Sequence, residues 1–330
     1  MKIPAYFLVF LALFLTPSVR ADIPISTLTS IYPPGGQPNT DFTVTISGSA
    51  IDHAENLFCP HPEIQFEKLS DTEFKCSIGP DVKAGRYTVQ LYGKRGLSSS
   101  RLFVVNSLPT LNEQDNSESD DTITELQLPI AAHGAIGGNG DIDRYSFNAQ
   151  AGEVVLIECW AERIDSTLRT NLEVFDSDNR KLHGEQSRFG ADMMLALRIP
   201  ATGKYTAKLS DLVFSGSVNA TYRLEIHSQP RVLFTVPAAV AEGSTAEVQA
   251  YGYNLNGKPT DAVIESTPVT VAAADVQADH RIPAFAASTS ATVIATPIGL
   301  LDAVHPVGLA VTSNPVIATT NANVDVNTAL

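Results

Sequence analysis

The chain has 330 residues, 22 Lys and Arg against 36 Asp and Glu, and a formal net charge of −14. That acidity excludes a nucleic-acid binder, whose affinity rests on Lys and Arg at phosphates. It suits a protein kept soluble by like charge or one that holds cations. Three cysteines are too few for a disulfide-dense scaffold.

The first predicted element is a targeting segment, not part of a fold. Lys2 supplies a positive end, Ala5 to Leu15 is apolar, and Val19-Arg20-Ala21 places small or aliphatic residues at −3 and −1 before Asp22. This pattern predicts a secretory signal peptide over 1–21, too short in its apolar run to span a bilayer. No later stretch is long and apolar enough to cross one, so the expected location is secreted, periplasmic or cell-surface. Removing residues 1–21, which contain Lys2 and Arg20 and no acids, takes the formal charge from −14 to −16.

Beyond residue 21 the periodicity is that of strands. Phe42, Val44 and Ile46 alternate with threonines, and Phe74-Cys76-Ile78, Tyr87-Val89-Leu91 and Leu102–Val105 follow. Further on, Asp143, Tyr145 and Phe147 alternate with Arg144 and Ser146. Val154 to Cys159 is apolar enough to be covered on both faces. Met193, Leu195, Leu197 and Ile199 alternate, as do Tyr205, Ala207 and Leu209. Tyr222, Leu224 and Ile226 face one way, Arg223 and Glu225 the other. Turn signals at Ala151-Gly152, Asp176–Asn179 and Thr202-Gly203 separate these runs. Many short alternating runs predict an all-β chain of tandem antiparallel β-sandwiches.

Composition divides the chain at Leu108–Asp121, which has no apolar residue between Leu111 and Ile123, and again near residue 229. The third region repeats the start of the first: Pro33 and Gly48 are spaced as Pro237 and Gly252 are, with Val44 and Val248, and Ile51 and Leu255, at matching offsets. The predicted organisation is a β-sandwich over 22–107, a second over 108–228 with an acidic N-terminal linker, a third over 229–319, and a polar tail or the start of a further module over 320–330.

Gly140-Asp-Ile-Asp-Arg-Tyr-Ser-Phe147, Ala151-Gly152, Leu172-Glu-Val-Phe-Asp176 and Gly203-Lys-Tyr-Thr-Ala207 stand in the order seen in the bacterial pre-peptidase C-terminal domain, and residues 108–228 resemble that family. Ser30-Ile-Tyr-Pro-Pro-Gly-Gly36, Val44-Thr-Ile-Ser-Gly48 and Gly85-Arg-Tyr-Thr-Val89 resemble the immunoglobulin-like IPT/TIG family, and the third module is similar to it. The implied folds are Ig-like, jelly-roll-like and Ig-like in turn. Modules in this arrangement resemble the N-terminal portion of larger secreted proteins of planctomycete-type bacteria, where a second pre-peptidase module follows. The resemblance implies an accessory module and no enzyme: a secreted, non-catalytic protein with a binding, adhesion or spacer role, its partner an extracellular polymer or protein. The alternative is the accessory region of a secreted peptidase, the partner then being an attached catalytic unit.

Some members of the first family bind calcium through acids and amides in the N-terminal linker and Asp residues before the first family strand. That implies Ca²⁺ ligands at Glu113, Asp115, Asn116, Asp141 and Asp143, a set of oxygens suited to a hard cation that takes six to eight. The local order Glu-Gln-Asp-Asn departs from the family's form. A solvated acidic linker is the competing reading. Cys59 and Cys76 are candidates for a disulfide in an oxidising compartment, leaving Cys159 as a buried thiol. The seven histidines show no metal-binding spacing, and no nucleophile elbow or phosphate loop is present. Asp176, Asp178 and Asn179 read as a β-turn.

Overall fold

A computed structural model describes residues 24–113, 122–186, 192–257, 263–273 and 293–312. The chain is all-β: no α-helix occurs among the described residues, and a 3-10 turn covers Glu162–Ile164. The predicted signal peptide lies outside them.

The first eight strands are β1 (Thr27–Tyr32), β2 (Gly35–Gly36), β3 (Thr40–Ser49), β4 (Ala54–Phe58), β5 (Ile64–Lys68), β6 (Glu73–Ile78), β7 (Gly85–Gly93) and β8 (Gly96–Val105). They form two sheets, β1-β3-β6-β5 and β2-β8-β7-β4. Between the sheets lie Ile46, Phe74, Cys76, Val89, Leu91 and Phe103, the inward-facing residues of the alternating runs.

Ten strands follow: β9 (Thr110–Asn112), β10 (Ile123–Leu126), β11 (Ile130–Ala135), β12 (Ile142–Ala149), β13 (Val154–Trp160), β14 (Thr170–Phe175), β15 (Lys181–Gln186), β16 (Met194–Arg198), β17 (Gly203–Asp211) and β18 (Thr221–His227). Their sheets are β10-β12-β17-β14-β15 and β16-β13-β18-β11-β9. Tyr145, Phe147, Leu172, Leu209, Tyr222 and Leu224 fill the core between them. The expected turn at Asp176 closes on itself: its Oδ1 accepts the Asp178 and Arg180 N–H groups, each at 2.9 Å.

The last six strands are β19 (Arg231–Val236), β20 (Ala239–Ala241), β21 (Thr245–Tyr253), β22 (Glu265–Ala272), β23 (Val293–Ile298) and β24 (Val307–Thr312), in sheets β19-β21-β22 and β20-β24-β23. This core is smaller and aliphatic, built on Val232, Val248, Ala250, Val271 and Leu309.

One expectation needs correction. Residues 108–113 are not a free linker: β9 lies parallel to β11, with Leu111 opposite Ala132, and Leu108 is wholly buried. The apolar pair Leu108 and Leu111 ties the segment down, and the Glu113 N–H donates to the His133 carbonyl at 2.7 Å. β18 is covered on both faces. Every residue from Thr221 to His227 is buried, as is every residue of β13. For β13 the double burial follows from its apolar run. For β18 the charged face is covered by the neighbouring modules.

Candidate functional site

Glu113 and Asp143 meet at one rim of the middle module, with Asp141 near enough to act on both through its charge but not placed with them as a close three-ligand group. Parallel pairing of β9 with β11 carries Glu113 past Gly134, where a Cβ would strike both the Glu113 carboxylate and the Tyr222 hydroxyl. Gly134 is therefore required for this approach. Asp143 sits on β12, its Oδ2 accepting the Tyr222 hydroxyl proton at 2.5 Å, and Tyr222 is 2.6 Å from the Tyr145 hydroxyl. Asp141 precedes β12 and accepts the Gly137 N–H at 2.8 Å.

The electrostatics are those of crowded carboxyls. Glu113 hydrogen-bonds Asp143, and its pKa is pushed up to about 8, first by burial and then by the charges of Asp143 and Asp141; the Ala135 N–H pulls the other way. Asp143 rises to about 6, again mainly through burial, against the stabilising Tyr222 hydroxyl. A half-buried and a buried carboxyl with no cationic side chain between them hold a proton or take up a cation. The donor set fits calcium in kind: hard carboxylate oxygens, with Asn112 excluded because its Oδ1 is 3.0 Å from His133 Nδ1. Asp115 and Asn116, the other two expected ligands, lie outside the described residues.

A second cluster, unread from the sequence, lies on the opposite face of the same sandwich. Arg223 is wholly buried and donates through Nε to Glu225 at 2.6 Å, through a terminal nitrogen to Asn106 Oδ1 at 2.6 Å, and to His133 Nε2 at 2.7 Å. Asn106, at the end of the first module, returns its Nδ2 to Glu225 at 2.8 Å. From the third module, His305 approaches Glu225 Oε2 at 2.6 Å and packs on Trp160 at 4.4 Å between ring centroids. Glu158 on β13 accepts from Arg163 at 2.6 Å and from Arg231 Nε at 3.0 Å. Asp192 collects the Ala161, Glu162 and Arg163 N–H groups at 2.7 to 3.0 Å.

Glu158, Glu225 and His305 lie close enough to hold a metal ion. Their geometry argues otherwise. Each carboxylate oxygen already has a hydrogen-bond partner, and three guanidiniums balance Glu158, Glu225 and Asp192. Burial would raise Glu225, but His305 and Arg223 hold it well below the usual carboxylate range. Burial would likewise raise Glu158, which Arg231, His305 and Arg163 hold down. Burial and the adjacent Arg223 keep His133 neutral, consistent with its Nε2 accepting from that guanidinium. The cluster is a joint among three modules. Small apolar contacts complete it: Val104 with Trp160 and Ile164, and Leu108 with Ala131 and Val304.

Cys59 and Cys76 share the first core as buried free thiols. Burial raises the Cys59 thiol to about 11 and raises Cys76 further, with Cys59 near enough to add to that shift. Cys159 is buried in the middle core, as expected.

No protein-family model matches the chain, and no curated protein matches it. Among solved structures, the pre-peptidase C-terminal domain of a collagenase from Bacillus anthracis is 17% identical, over 32% of this chain and 94% of that one, with a TM-score of 0.25. The periplasmic inhibitor of g-type lysozyme from Aeromonas hydrophila, PliG, is 19% identical over 32% of this chain and 96% of its own, TM-score 0.25. The Bacteroides ovatus SGBP-B, of a mixed-linkage glucan utilization locus, is 8% identical over 62% of this chain and 73% of its own, TM-score 0.21. These likenesses do not establish a family. No helix among the described residues is long and apolar enough to cross a membrane.

Proposed function

We propose that the chain is a secreted, non-catalytic unit that holds binding surfaces at fixed positions, with Ca²⁺ at the Glu113–Asp141–Asp143 rim. The observation that carries this reading is the joint. Both faces of the β13–β18 sheet are buried, one in the middle core and the other beneath the first and third modules, and the charges there are paired. Such a joint suits a rigid spacer or adhesion arm, because bending it would pull Asn106, Arg231 and His305 away from Arg223, Glu158 and Glu225 and break their buried hydrogen bonds. The calcium reading draws on the hydrogen-bonded Glu113 and Asp143, whose pKa values burial and mutual charge raise, so that a cation would take the place of a proton and tie Glu113 to the sandwich. The partner is an extracellular polymer or protein.

The test is retention of purified 22–330 on immobilised collagen, chitin and cell-surface glycans, with millimolar calcium and with chelator. Retention on one of them, weakened by chelator, is the expected result. Failure on all, together with a peptidase domain encoded after Leu330, would replace this reading with that of an enzyme's accessory region. Export itself is tested through Cys59 and Cys76. In an oxidising compartment we expect mass spectrometry to find them bridged, closing a loop worth about 3 kcal/mol; two free thiols in exported protein would count against the bridge.

A further inference from the structure

The β10-β12-β17-β14-β15 sheet has an outer face that takes no part in the joint. Ser146 stands on that face of β12, level with Glu125 on β10 and Thr206 on β17. It is 1% exposed, and its hydroxyl is buried without a hydrogen-bond partner. A buried polar group left unpaired is uncommon in a folded protein and calls for a reason.

Ser146 lines a cleft of about 390 Å³. On one side of it are Ile123 and Glu125 of the edge strand β10. On the other is the turn that leaves β14, brought alongside because Phe175 pairs with Thr206. The Asp176 Oδ1 hydrogen bonds fix the shape of that turn. Lys204 Nζ lies 3.4 Å from Glu125 Oε1, and since β12 runs between their strands the pair crosses β12 on this face. Both side chains are half-exposed, so the pair contributes little and parts at little cost.

The lining selects a class of ligand. Ser146, Ser177 and Thr206 offer hydroxyls and Asn179 an amide, groups that both donate and accept. Glu125 and Asp176 accept, and Lys204 donates. That mixture suits a ligand dense in hydroxyls. Two carboxylates against one ammonium select against an anion. An extended peptide needs free backbone groups at a sheet edge or apolar pockets for its side chains. Here β12 and β17 are each paired on both sides, and Ile123 is the only apolar side chain among the described residues that line the cleft. The neighbouring Phe175 ring lies under Lys208 at 4.1 Å, so hydrogen bonds rather than stacking would hold the ligand.

We propose that this cleft binds a neutral sugar segment of an extracellular polysaccharide, the Ser146 hydroxyl meeting a sugar hydroxyl as the Lys204–Glu125 pair parts. The inference rests on the binding-module reading, to which it gives a site and a ligand class, and is independent of calcium at the rim.

The test is calorimetric titration of purified 22–330 with cellohexaose, laminarihexaose, xylohexaose and chitohexaose, beside trigalacturonate and a collagen-like peptide. At least one neutral sugar should bind at millimolar concentration. Ser146→Ala should weaken that binding about fivefold or more, the size of one lost hydrogen bond. Its melting temperature should not fall, because the hydroxyl has no partner in the free protein. Asn179→Gly is the second variant: glycine accepts the φ of 59° at that position, so the turn is kept while the amide is lost, and binding should weaken similarly. Silence from all four neutral sugars would overturn the proposal, as would binding that neither variant changes. Binding of trigalacturonate or the peptide that depends on Ser146 would assign the cleft to another ligand and overturn it too. Equal polymer retention of Ser146→Ala and the unaltered chain would remove this cleft and leave the binding role standing, whereas no retention on any polymer removes both.

Discussion

Glu113 and Asp143 at the rim, and Glu158 and Glu225 at the joint, are buried or half-buried carboxyls of one sandwich, yet their pKa values are shifted in opposite directions. The first pair is pushed up to about 8 and about 6. The second is held down. Burial acts the same way on all four, so it does not decide the sign. What differs is the company. Arg223, Arg163, Arg231 and His305 surround the joint carboxylates, and two of those four come from beyond the middle module. The rim carboxyls face each other, Asp141 and two tyrosines. A protein that supplies its own cations builds a joint; one that leaves carboxyls crowded together leaves a place for a cation.

Removing a partner at the joint should have the largest effect. Arg223→Met strips buried Glu225 of its guanidinium, leaving only Asn106 and His305 as partners, and should cost about 3–5 kcal/mol. Denaturant unfolding followed by Trp160, which sits in the joint and is the sole tryptophan, reads this directly. The double variant Arg223→Met with Glu225→Leu should recover much of the loss, because an apolar pair needs no charge compensation. Equal instability of single and double variants would break the contrast.

Cation supply at the rim comes next. Calcium at about a hundred times its dissociation constant should stabilise the fold by about 2.7 kcal/mol. Asp141→Asn with Asp143→Asn should abolish that gain, while Arg223→Met should keep it. A melting curve indifferent to calcium in the unaltered protein would return the rim to an ordinary acidic edge.

A smaller effect of opposite sign separates the two pairs. In chelator at pH 8, Glu113→Gln should stabilise by about 1 kcal/mol, a typical size for relieving one unfavourable buried group, whereas Glu225→Gln should destabilise. Urea titration of the two variants side by side gives the comparison; the same sign for both would refute it.

The pH profile carries the same contrast. Glu113 and Asp143 bind protons more tightly folded than unfolded, against ordinary values of 4.5 and 3.8. The stability they contribute is complete below those ordinary values and is lost as pH rises through about 6 to 8. Glu158 and Glu225, held low, contribute stability present above the ordinary carboxylate range and lost as pH falls below it. In chelator the melting temperature should therefore decline from mildly acidic to mildly alkaline pH, and calcium should flatten that decline by replacing the proton. A decline that calcium leaves untouched would separate the titration from the proposed cation.

Residue order settles whatever depends on near neighbours. Alternation at Phe74-Cys76-Ile78 and Tyr222-Leu224-Ile226 specifies strands and which side of each meets its own core, because successive side chains leave a strand on opposite faces. The apolar run Val154–Trp160 announces a strand covered twice. The Pro33–Gly48 and Pro237–Gly252 spacing announces the repeat that the strand register displays. Asp141 and Asp143 are readable as rim acids from their place at the start of β12. The opposite face of β18 is another matter. Arg223 and Glu225 occupy positions that in an isolated sheet would face water, and only the packing of Asn106 from one side and His305 from the other makes them a joint. Glu113 is similar: an acid in a polar stretch until parallel pairing to β11 slides it past Gly134 against Asp143. Contacts between residues 80 to 120 positions apart leave no local period, since each partner alone satisfies the pattern of an ordinary exposed residue, and it is the tertiary arrangement that removes the water and so determines each group's charge.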